Sequence, residues 1–119
     1  MIDKFNQIIK VNQDELTYIK SRDNSSSFDK KLLGTVDTAI NRINNILLIF
    51  SQYPLMANNT EQELYQCQTA LSELISYIKK MDNSSFLIKK YYQLRIHIIG
   101  KTQITKIKKL LNKVEGENK

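Results

Sequence analysis

Apolar residues in this chain recur in steps of three and four, the period that lays one face of an α-helix along a core. From about Ile2 to Lys20, Ile2, Phe5, Ile9, Leu16 and Ile19 keep that spacing, and Asn12 fills the remaining slot. That pattern predicts a helix, with Asn12 either a polar residue that sets register or a surface position. A second seam reads Leu33, Val36, Ile40, Ile43, Leu47 and Phe50, widened by Ala39, Ile46 and Ile49. Its width makes the second helix the one expected to be most buried. A third reads Leu64, Cys67, Leu71, Leu74, Ile78 and Met81. The expected core is Leu33, Val36, Ile40, Ile43, Leu47, Leu64, Leu71, Leu74 and Ile78.

The breaks between seams carry stop and start signals. Ser21 to Ser27 is a loop by composition, and Ser26 followed by Asp29 resembles a capping box with Asp in place of Glu. Gly34, near the start of the second helix, is expected to mark a close-packing point. Pro54 cannot continue a helix. The loop Tyr53 to Asn59 leads to Thr60 and Glu63, a regular capping box. Asp82 to Ser85 forms the next loop.

The last segment is less regular. Leu87, Tyr91, Leu94 and Ile98 fall at helical spacing, yet Leu94, Ile96 and Ile98 also alternate with Arg95 and His97, as in a strand. No other segment offers a strand partner, so a helix is expected. Ile104, Ile107, Leu111 and Val114 resume an apolar stripe out of phase with the first, which predicts a kink or split near Gly100. Residues 115–119 read as a polar tail. The expected architecture is all-α: a single domain over residues 1–119, folded as an antiparallel four-helix bundle with its last helix kinked or split.

Composition supports that class. The chain has 119 residues, three glycines and one proline, with 41% hydrophobic and 25% charged residues, which suits one globular domain. The lone Cys67 cannot form an internal disulfide. No apolar run is long enough to cross a membrane. The first residues lack the basic and apolar segments of a signal peptide. A cytoplasmic location is expected. The Asn-x-Ser/Thr triplets at Asn24, Asn58 and Asn83 read as chance in a chain rich in Asn and Ser.

Charge changes the picture most. The net charge is +6, and it is unevenly spread. Residues 1–60 hold seven Lys/Arg against six Asp/Glu, whereas residues 79–114 hold ten against Asp82 alone. On a wheel of about 100° per residue, Lys106, Lys109 and Lys113 lie opposite Ile104, Ile107, Leu111 and Val114, with Lys101 and Lys108 at the flanks. Solubilising surfaces usually mix signs, so an anionic partner is expected.

Catalytic and metal chemistry find little footing. His97 is the only histidine, flanked by Ile96 and Ile98, with no triad or second imidazole to join. Gly100-Lys101-Thr102 imitates the end of a phosphate-binding loop, but the required upstream glycine is Arg95. Cys67 lies on an apolar seam, with nothing adjacent to activate it. No enzyme, cofactor or metal site is expected. The leading expectation is a binding module that contacts nucleic acid or a nucleoprotein complex through Lys89, Lys90, Arg95, Lys101, Lys106, Lys109 and Lys113, with Tyr91 and Tyr92 beside them for stacking. One arginine among so many lysines favours phosphate contact over base readout. The alternative is a protein–protein interaction bundle (an inhibitor, immunity protein or adaptor) meeting an acidic protein surface. Homo-oligomerisation is left open, and a membrane surface is less favoured because Trp and Phe are missing near the seam.

Overall fold

The computed structural model describes residues 2–53 and 61–117. Four helices span them: α1 Ile2–Ser21, α2 Ser27–Gln52, α3 Glu61–Asp82 and α4 Phe86–Glu117, with no strand among the described residues. They form the expected antiparallel bundle. Phe5 meets Phe50 across α1 and α2 at 6.2 Å between ring centroids. Glu63 meets Lys113 at 3.4 Å across α3 and α4. The hairpins stack so that α1 runs beside α3 in the same direction. Lys4–Glu61 at 2.6 Å and Glu15–Lys79 at 2.8 Å mark that seam.

Local chemistry sets the helix ends. Ser26 caps α2: its Oγ accepts from the Asp29 backbone N–H at 3.0 Å and donates to Asp29 Oδ2 at 2.6 Å. The Asn24 side-chain amide donates to the Ile19 carbonyl at 3.1 Å, which satisfies a free carbonyl at the end of α1. Tyr53 closes α2 by donating its N–H to the Ile49 carbonyl at 2.8 Å. Pro54 and Thr60, with most of the loop between them, fall on positions 54–60, outside the described residues.

Every expected core residue but one is buried. The exception is Leu33, which is half-buried because Leu32 takes the inward place four residues before Val36. Ile49 is exposed. The second helix shares the role of most buried element with α3, where all six seam residues are buried. The side chains of Ile2 and Val114 lie outside the described set. Asn12 is a core residue. Its Nδ2 donates to Asn44 Oδ1 and Gln68 Oε1, both at 2.9 Å, and its Oδ1 accepts from Gln68 Nε2 at 2.7 Å. A buried amide costs little once paired in this way, and here it joins α1, α2 and α3 at one level.

A second polar cluster closes one end. The Arg22 side chain is only 8% exposed. Its Nε and Nη2 donate to the two oxygens of Asp82 at 2.7 and 3.0 Å, and Nη2 also reaches Asp29 at 3.1 Å. Tyr18 donates its hydroxyl to Asp82 at 2.6 Å. Burial and the Asp82 carboxylate push the Tyr18 hydroxyl up to about 12. Burial alone would raise the Asp82 carboxyl, but the bonds from Arg22 and Tyr18 hold it below the usual carboxylate range.

Gly34 differs from expectation. A Cβ placed on Gly34 would meet nothing within 4 Å, so this is no close-packing point. On Gly100 a Cβ would make ordinary contacts, 3.5 Å to Leu74 and 3.8 Å to Ile96. Of the two expected forms α4 takes the bent one: it is one helix from Phe86 to Glu117, taking in part of the expected tail.

Two stability measurements follow. Asp82→Asn should lose a large part of the about 3–5 kcal/mol that breaking a buried ion pair costs, since Arg22 keeps Asp29. With its folded pKa depressed, the Asp82 contribution is complete above the unfolded value of about 3.9 and fades as pH falls through the lower folded value. Urea melts of the two proteins should therefore converge below about pH 4; a constant gap there contradicts the pairing. Gly34→Ala removes a helix-interior glycine without a clash and should raise stability by about 0.5–1 kcal/mol. A loss of stability would show that Gly34 is sterically required.

Candidate binding face on the last helix

Two apolar lines run along α4, on nearly opposite sides. One is buried: Ile96, Gly100, Ile107 and Leu111, with Tyr92, Ile104 and Leu110 half-buried beside them. These positions stay in phase through Gly100. The other line is Leu87, Tyr91, Leu94 and Ile98, and it is exposed, at 78%, 55%, 60% and 58%. Phe86 and Ile88 are exposed at its start. The sequence reading took this second line as the helical seam of the segment, without placing it in the core; it faces outward. Segment 86–99 is apolar in two phases, and α3 and α2 can cover only one. The apparent phase slip between Ile98 and Ile104 is therefore a change of face, separate from the bend.

Four large apolar side chains on one face of a helix, with Phe86 and Ile88 exposed on its two flanks, form a patch of the kind that marks an interaction site in a monomeric protein. From Phe86 to Ile98 the patch runs about 18 Å at 1.5 Å per residue. Past Ile98 the same outer face turns basic, with Lys101, Thr102, Thr105, Lys106 and Lys109 lining one shallow surface depression. Between Phe86 and Val114 the sequence has no Asp or Glu.

The seven basic residues singled out from sequence do not form one cluster. Lys101, Lys106, Lys109 and Lys113 are exposed on the second half of α4, and Lys113 pairs with Glu63. Lys90 lies on the first half, its ammonium 5.2 Å from the centre of the Phe86 ring. Arg95 sits 6.0 Å from the rings of both Tyr77 and Tyr91, a cation–π arrangement that fixes its position beside the stripe. Lys89 is half-buried, and its charge acts on Asp23 and Asp82. It belongs to the polar end cluster rather than to the ridge.

Sequence reasoning named the residues of the stripe but missed its exposure, and it missed the role of Tyr77. The double phase of segment 86–99 could have revealed the first. Nothing in the spacing pointed to the second, which lies on α3.

No protein family, curated protein or solved structure matches the chain. What the face can do is read from its own geometry. His97 is exposed, with no acid or nucleophile bonded to it among the described residues. Burial pushes the Cys67 thiol up to about 11, so it is a packing residue. Among the described residues there is no metal-binding cluster and no helix long and apolar enough to cross a membrane.

Exposure sets the expected cost of substitution. Replacing Leu87, Leu94 and Ile98 by Gln should change unfolding free energy by no more than about 0.5 kcal/mol each. Leu71→Ala in the core should cost about 2–5 kcal/mol. Chemical denaturation of the variants checks this. A large loss in the stripe variants would mean that the first half of α4 packs inward after all.

Proposed function

We propose that this chain is a non-enzymatic binding module whose interface is the outer face of α4, and that its partner is a protein surface with an apolar ridge and acidic flanks. The exposed stripe carries the reading. Leu87, Tyr91, Leu94 and Ile98 are spaced four, three and four apart, a two-heptad seam of the kind a partner helix packs against. Its flanks hold Ile88 and Arg95 on one side and Lys90, His97 and Lys101 on the other. A second copy would set cation against cation there, so the charge pattern favours an acidic partner over self-association. A lone buried thiol suits a reducing cytoplasm.

A second reading is a nucleic acid or nucleoprotein partner, held through phosphates by Lys101, Lys106, Lys109 and Lys113. The acid-free lysine face past Ile98 favours it. The aliphatic stripe beside that face offers nothing to phosphates, which is why the protein partner leads.

A photo-crosslinking residue at Leu94, introduced in the cells that make the protein, distinguishes the two. The expected result is a discrete protein adduct that disappears when Leu87 and Ile98 are changed to Gln. Under the second reading the adduct would be nucleic acid. Binding measured from about 50 mM salt upward would then lose about two units or more of log–log salt slope when Lys106, Lys109 and Lys113 become Gln. That outcome, without a protein adduct, overturns the leading proposal.

A further inference from the structure

Away from the stripe, a groove runs between α2 and α4. These helices point the same way, so their residues advance together: Phe28 and Leu32 face Ile96 and Gly100, while Ala39 and Arg42 face Ile107 and Leu111. The wider part of the groove encloses about 230 Å³ over a floor of Val36, Leu71, Leu74, Ile107 and Leu111. It continues into a narrower part of about 80 Å³ that ends against Phe28 and Ile96. Lys31, Thr35 and Ile104 line both parts, which makes them one channel. From Phe28 to Arg42 it is about 21 Å long at 1.5 Å per residue.

Two observations indicate a ligand. Among the described residues, every charged side chain that lines the channel is basic: Lys31, Arg42, Lys101 and Lys108, with His97 at the narrow end. A groove with an apolar floor and a cationic rim matches a molecule that is apolar along its length and anionic at one end. The second observation is Gly34. It lines the wider part, where a Cβ would meet nothing within 4 Å. Neither a close approach nor a positive φ calls for glycine there, since no described residue has a positive φ. Its missing side chain leaves the channel open.

We propose that the α2–α4 channel binds an amphiphilic anion with a single alkyl chain, of the fatty-acid class. The chain lies on the floor between Ile104 and Leu111. The carboxylate sits at the narrow end, where Lys31, His97 and Lys101 converge. A narrow channel of this volume suits one flexible chain better than a ring system. The channel floor is separate from the outer stripe, although His97 and Lys101 flank both.

The test is a titration with dansyl-labelled undecanoate, followed by displacement with decanoate and with decanol. Saturable binding is expected, with decanoate displacing the probe at lower concentration than decanol. Gly34→Leu fills the channel in open space and should weaken binding by at least about tenfold, while circular dichroism and the melting temperature stay at or above the wild-type values. Lys31→Gln with Lys101→Gln should abolish the preference for decanoate over decanol. Methyl chemical shifts offer a readout on the unmodified protein: Ala39, Ile104 and Leu111 should move with decanoate, and Leu87 and Leu94 should not. Non-saturable binding, or binding that survives Gly34→Leu and is lost when Leu94 and Ile98 become Gln, overturns the proposal, because the probe would then be adsorbing to the stripe.

Discussion

The buried guanidinium of Arg22 is the constraint on which the arrangement of the bundle depends. It leaves the end of α1, reaches the first turn of α2 through Asp29 and the last residue of α3 through Asp82. Such a pair contributes little net energy, because desolvation offsets most of the attraction. What it fixes is geometry: three helix ends meet at one point, and any shift of one helix leaves a charge unpaired. The Asn12–Asn44–Gln68 amides do the same at mid-height. Both clusters tie α1, α2 and α3 together by hydrogen bonds, and α4 reaches only the end cluster, through the charge of Lys89 on Asp82. The last helix is held by apolar packing, by Arg42–Asn112 at 2.9 Å and by Lys113–Glu63. It is the element whose outer surface the others leave uncovered.

How far the sequence foretold this differs by element. The seams of α2 and α3 predicted their buried faces, because each has one apolar stripe and so only one way to sit. Asn12 was recognisable as an anomaly in the first seam; only the neighbouring Asn44 and Gln68 decide that it is buried, and they come from other helices. The Arg22 cluster was hidden in segments that read as loops, since pairs 60 residues apart leave no local trace. The last helix misled, because the stripe with the cleaner spacing is the exposed one. Spacing identifies an apolar face, and a partner for one left exposed is what we propose. Spacing does not say whether the cover is the same chain.

The basic half of the chain divides in a similar way. From composition it looked like one anionic-partner surface. In the fold, Lys89 turns toward acids at the bundle end, Lys113 meets Glu63, Lys90 and Arg95 lie against aromatic rings, and Lys31 joins Lys101 and Lys108 along the α2–α4 channel. Charge counts along a sequence therefore overstate how far the cations act together.

The charge order along α4 also bears on its motion. A helix concentrates partial positive charge at its first turn and negative charge at its last, and acids and bases stabilise the opposite ends accordingly. This helix does the reverse: its first turn has no acid, Lys89 and Lys90 follow directly, and Glu115 and Glu117 stand near its end. Its first half also buries only one side. Local opening should therefore begin at Phe86 and travel toward Ile96, making this the least protected segment of α4 in amide exchange. The surface that presents the stripe would then be the part of the molecule that gains most order when something covers it.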